Sequence, residues 1–117
     1  MGFTDDGKNI VRDFLAGTVP TAPTHIAFGT GTTVFNAADT SLESETKRIS
    51  IDTTTTSNKK VVYNAALSTA EGNGALLTEL GLLNADSDGD LFQRTTFNSI
   101  TKNNTISIQA IVTVRIL

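Results

Sequence analysis

Asn104-Thr-Ile-Ser-Ile-Gln-Ala-Ile-Val-Thr-Val-Arg-Ile-Leu117 closes the chain with an apolar residue at every second position. Ile106, Ile108, Ala110, Val112, Val114 and Ile116 share one parity. Thr105, Ser107, Gln109, Thr113 and Arg115 hold the other, with Ile111 and Leu117 as apolar exceptions. Successive side chains of a strand point to opposite faces, so the pattern predicts a β-strand with one face in a core and one largely in water. At roughly a dozen residues it is about twice the usual strand length. Such a strand cannot bury its apolar face alone. The other apolar runs are expected to be strands recruited to cover it.

Working outward, Leu91–Phe97 returns from Asn84-Ala-Asp-Ser-Asp-Gly-Asp90, a composition suited to a hairpin loop. Before it, Leu76-Leu-Thr-Glu-Leu-Gly-Leu-Leu83 reads as a strand apolar on both faces. Val61, Tyr63, Ala65 and Leu67 make another alternating face after a turn at Ser57-Asn58-Lys59. Lys47 to Thr53 alternates too and runs on into the threonines, so its end is weakly specified. Thr24–Gly29 is a short strand, and Asp39–Glu43 is expected to form one helical turn in a loop from Asn36 to Glu45. Residues 5 to 16 carry a helical pattern: Ile10, Val11, Phe14 and Leu15 recur at helical spacing, Asp5 or Asp6 can cap the start, and Gly17 can end it. Pro20 and Pro23 bar continuation. About six strands at intervals of about ten to fifteen residues suit a small antiparallel sandwich. The expected fold is all-β and mainly antiparallel, a small β-sandwich or jelly-roll-like domain with one short N-terminal amphipathic helix. A single domain covers residues 1–117, the sandwich starting near residue 24.

Composition narrows function. A chain of 117 residues supports one core. It holds about twenty threonines, whose β-branch suits a half-buried pleated surface. With no Trp, one Tyr and 38% hydrophobic residues, the core is expected to be aliphatic and thin. The net charge of −3 and the lack of any basic run beyond Lys59-Lys60 argue against nucleic-acid binding. There is no cysteine, so disulfide and thiol chemistry are excluded. No apolar run approaches a membrane span and the N-terminus does not read as a signal peptide, so neither membrane insertion nor export is expected.

No catalytic constellation emerges. Asp86, Asp88 and Asp90 are weak metal candidates: their oxygens are hard ligands, but the calcium-loop pattern fails because glycine comes early, at Gly89, and Phe97 stands where Glu is required. Gly29-Thr-Gly31 begins like a dinucleotide-binding turn but lacks the third glycine and the βαβ context. His25 is the sole histidine and lacks a partnered nucleophile motif. Glu79 and Asp52 are two acids in strand patterns, and a solvated or hydrogen-bonded carboxylate is the expected state of each. No cofactor is expected.

Three stretches together suggest a family. Pro23-Thr-His-Ile-Ala-Phe-Gly-Thr-Gly-Thr, then Asp39-Thr-Ser-Leu-Glu-Ser-Glu with a basic residue after it, then Glu79-Leu-Gly-Leu-Leu-Asn-Ala-Asp with Gly-Asp-Leu-Phe following, resemble tail-fibre and tail-collar proteins of tailed phages. Those proteins carry an "IALG-(S/D)G" strand and turn, a "T-x-L-x-x-E" segment and an "E-I-G-L-F-(D/N)-A-D-G-x-L" hairpin in this order. Leu80 and Leu83 replace the usual Ile and Phe, and the long shaft and receptor-binding tip are not part of the resemblance. The resemblance implies a virion-proximal module: a non-enzymatic subunit of the particle, assembled in the host cytoplasm. Its partners would be copies of itself, other virion proteins and, in one variant, a host surface receptor. Capsid decoration, a surface appendage, or a receptor- or glycan-binding module using loops 29–36 and 84–90 are the alternatives. Ile10, Val11, Phe14, Leu15 and Phe35 are the expected interface residues. Removal of residues 1–17 is expected to leave a folded sandwich and weaken assembly.

Overall fold

The alternating stretches pair into two sheets that face each other across a core to which Phe28, Tyr63 and Phe92 add aromatic rings, so it is less purely aliphatic than the composition suggests. The computed structural model describes residues 2–116. Within them the order is β1 (Gly2–Phe3), α1 (Asp5–Leu15), β2 (His25–Gly29), β3 (Glu45–Ser50), β4 (Thr53–Ser57), β5 (Lys60–Leu67), β6 (Leu76–Leu83), β7 (Leu91–Thr101) and β8 (Ile108–Arg115). One sheet has five strands in the order β1-β7-β6-β2-β3, the other three in the order β4-β5-β8. Every pairing is antiparallel. The fold is a small, mostly antiparallel β-sandwich with one short N-terminal helix. Tyr63, Ala65 and Leu67 of β5 and Val112 of β8 share a buried cluster with Ile26, Phe28, Leu77 and Leu82 of the larger sheet.

Several elements differ from the sequence expectations, each for a local reason. The closing strand begins at Ile108 rather than Asn104, because the Asn103 side chain accepts from Thr105 N (2.9 Å) and Thr105 Oγ1 (2.5 Å) and holds a turn there. The strand beginning near Lys47 is two strands. At the break, Ile51 N donates to Thr24 O (2.9 Å) and Asp52 N to Asn64 O (2.7 Å), so the chain leaves one sheet and joins the other. The threonines are then a strand of their own, exposed throughout. Asp39–Glu43 forms no helical turn. Thr4, not Asp5 or Asp6, caps α1, its hydroxyl accepting from Gly7 N at 3.0 Å, while the two aspartates sit in the first turn where the helix dipole favours them. Gly17 ends the helix with φ 86°.

The outer face of the larger sheet positions the site. Directly opposed residues share a face, and one row across β1, β7, β6, β2 and β3 reads Gly2, Arg94, Gly81, Ala27, Arg48. The small residues make room for a strap, residues 30–44, the long connection of the β2–β3 hairpin, which crosses this face instead of turning tightly. Leu42 is buried with Ala27, Leu83 and Leu91. A Cβ on Gly81 would lie 2.8 Å from Leu42 and 2.9 Å from Leu91, so only glycine admits the strap. Further along, the Phe35 ring packs on Gly2.

The N-terminal segment is more deeply built in than its sequence suggests. Thr4 is fully buried, its N–H bonded to Phe92 O at 2.8 Å and its hydroxyl to Leu91 O, and Ile10 is buried in the main core. Removal of residues 1–17 is therefore expected to lower stability as well as alter assembly. Gly81→Val is expected to overpack the strap and cost about 1–3 kcal/mol; urea unfolding of the variant should show a lower midpoint with an unchanged slope.

Candidate functional site

β6 is apolar apart from Thr78 and Glu79, and both point polar groups at the strap. Thr78 Oγ1 donates to Gly31 O at 2.6 Å. Glu79 is fully buried, and each carboxylate oxygen accepts two hydrogen bonds. Oε1 receives Glu43 N at 2.9 Å and Arg94 Nε at 2.9 Å. Oε2 receives Gly31 N at 2.7 Å and Ser44 N at 2.8 Å. A carboxylate has about four lone-pair sites, and here all are taken. Gly31 is glycine because a Cβ would stand 2.4 Å from Oε2.

Arg94 of β7 is 1% exposed and completes the cluster. Besides Glu79 it meets Asp39 Oδ2 through Nη1 at 3.3 Å and Thr33 O through Nη2 at 3.1 Å. Strap residues 31, 33, 39, 43 and 44 are thus all tied to one ion pair. Glu43 adds a surface layer, accepting from Thr32 N at 2.7 Å and Thr33 N at 3.2 Å. Burial pushes the Glu79 carboxyl up, but the Arg94 guanidinium and the N–H groups of Ser44, Glu43 and Gly31 outweigh it and hold the group below the ordinary carboxylate range. Glu79 is therefore an anion with no free lone pair, a poor acid and a blocked base. The cluster clamps; it does not react.

The sequence-level candidates fall in separate places. Asp86, Asp88 and Asp90 are exposed in the β6–β7 loop, where Asn84 Oδ1 accepts from Asp90 N at 2.7 Å and Arg48 donates to Ala85 O and Asp88 O. Among the described residues no group of three His, Cys, Asp or Glu side chains could hold a metal ion. Asp52 is exposed and is not a partner of Glu79. His25 contacts only Thr24 and Ser50 through its ring nitrogens. The donors that a phosphate-binding turn would offer at Gly31 are spent on Glu79. Of the interface candidates, Ile10 is buried within the chain, Val11 and Phe35 are partly buried, Phe14 is 46% exposed and Leu15 86%. Val19, just beyond the helix, is 92% exposed. No described helix is long and apolar enough to cross a membrane.

Sequence reasoning singled out Glu79 but not its partner. The available signal was a lone cation, Arg94, in an alternating strand following the hairpin that Glu79 precedes. A second buried cation was also missed: Lys102 is fully buried, with Nζ donating to Asn73 Oδ1 at 2.8 Å and Asn103 O at 3.1 Å. Comparison with known proteins adds no relative: no family model matches the chain, and neither a curated protein nor a solved structure does.

Two outcomes follow from the clamp. Glu79→Gln leaves the buried Arg94 with only the 3.3 Å contact to the partly exposed Asp39 as counter-charge and puts an amide donor among the strap N–H groups. It is expected to cost about 3 kcal/mol, read by denaturant unfolding at neutral pH. The folded carboxyl ionises more readily than the unfolded one, so its contribution is complete above the ordinary value of about 4.3 and is lost as pH falls through the lower folded value. Wild-type stability should therefore drop steeply below about pH 4, whereas Glu79→Gln should show a shallower acid limb.

Proposed function

We propose that this protein is a non-enzymatic structural subunit of a tailed virus particle, a tail, collar or fibre-attachment component that acts through protein–protein contacts as a homo-oligomer. One observation carries the reading. The three stretches whose order resembles phage tail-fibre and tail-collar proteins meet at one buried ion pair: Gly31 from the first and Glu43 and Ser44 from the second bond Glu79 of the third, and Asp39 of the second bonds its partner Arg94. The motif pieces are parts of one mechanical joint, which explains why they would travel together in sequence. A rigid scaffold whose strap is locked by a fully bonded Glu79–Arg94 pair suits a particle subunit.

The exposed apolar end of α1, Phe14 and Leu15 with Val19 beyond it, is the surface offered to a neighbour. A glycan-binding module is less well supported, because Phe35, the one aromatic in the candidate loops, packs on Gly2. Light scattering over a dilution series tests the proposal. A discrete multimer is expected, with Leu15→Lys plus Val19→Lys, at two highly exposed positions, shifting it to monomer without lowering the melting temperature. A wild-type monomer at every concentration, indifferent to these substitutions, would overturn the homo-oligomer.

A further inference from the structure

The smaller sheet stops short. It sets three strands against five, and β8 is its last strand, paired to β5 alone. On its other side the backbone N–H and C=O groups of β8 have no strand partner among the described residues. Edge strands are usually protected by proline, lysine or an inward-pointing charge. Ile108–Arg115 has none of these before its final residue.

Beside this edge runs an open apolar groove of about 450 Å³, bounded by Leu80, Phe97, Ile100, Ile108 and Ile111. Ile111 is 58% and Ile100 38% exposed. Deeper between the sheets, under Ile111 and Val112, a cavity of about 30 Å³ has Gln93 and Thr95 in its wall. Gln93 is 8% exposed, and its Oε1 is buried without a hydrogen-bond partner. An orphaned buried acceptor is costly, so a donor brought from outside the chain would be favoured at this spot. Charge marks one end of the edge. Lys60 lies opposite Arg115 in the β5–β8 register, Lys59 precedes it, and none of the three joins the ion pairs formed among the described residues.

We propose that the edge of β8 is a docking slot for an extended segment of another protein, added as a fourth strand, apolar at alternate positions and acidic at the end that meets Lys59, Lys60 and Arg115. The unpaired backbone calls for a strand, the groove for alternate apolar side chains, the Gln93 acceptor for an N–H donor, and the cations for carboxylates. The smaller sheet would then cover the part of the larger one that it now leaves open. The slot stands independently of the virion reading, since it rests on β8 and β7 and not on the strap or α1.

The test uses the full chain, isotopically labelled, and a soluble peptide of alternating threonine and valine ending in two aspartates. Titration should give saturable amide shifts centred on β8, Phe97–Thr101 and Lys59-Lys60, with a shift of the Gln93 side-chain amide and slower hydrogen exchange on β8. Affinity should fall about tenfold or more in Arg115→Glu plus Lys60→Glu and in Ile111→Lys, all partly or fully exposed positions that the fold tolerates. A peptide ending in two lysines should bind equally weakly to the wild type. Absence of shifts at millimolar peptide, or shifts centred elsewhere, would overturn the proposal. So would β8 protection that rises with protein concentration in the absence of peptide, which would assign the edge to a second copy. An ordered water on Gln93 in a protein indifferent to the peptide would overturn it too.

Discussion

Four donors on one buried carboxylate are the constraint from which the rest of this architecture follows. Glu79 sits in the centre of an apolar strand, where an unpaired charge would be prohibitive. It is tolerable because Arg94 supplies the counter-charge and three strap N–H groups fill the remaining lone pairs. The same bonds satisfy strap amides that would otherwise be buried without partners. Burying the ion pair and laying down the strap are therefore one event, and neither is stable without the other.

That coupling shapes the sheet beneath. A strap lying on a β-sheet needs a shallow channel, and Gly81 with Ala27 and Gly2 provides it, while Leu42 and Phe35 fill what the small residues leave. The sheet becomes buried on both sides although the smaller sheet covers only one of them. A thin sandwich of few aromatics gains rigidity in this way from polar contacts. The exposed apolar residues at the end of α1 lie outside the clamped region.

Legibility in the sequence followed the contrast between neighbouring residues. β5, β6 and the hairpin into β7 were readable because apolar residues alternate or run unbroken and Asp, Asn and Gly mark the turn. β4 was not, since four identical threonines carry no alternation to read. β1 is two residues long, too short for any period. The closing strand was overestimated because Ile106 keeps the parity although Asn103 has already captured the turn. The clamp was half visible: a lone Glu in β6 read as either a solvated or a hydrogen-bonded carboxylate. The sequence could not choose, because its partners are mostly backbone N–H groups from residues 31, 43 and 44, which leave no trace in residue identity. What remained was indirect, in glycines placed where a side chain would strike the strap.

Amide hydrogen exchange at Gly31, Glu43 and Ser44 tests the central claim most directly. These residues lie in a loop, and loop amides ordinarily exchange through small local openings. If Glu79 and Arg94 lock the strap, the three amides should exchange only on global unfolding, as slowly as those of β2 and β6, and should be released together in Glu79→Gln. Exchange at the rate of the exposed β6–β7 loop, with β2 and β6 still protected, would mean that the strap opens freely and that the ion pair does not hold it.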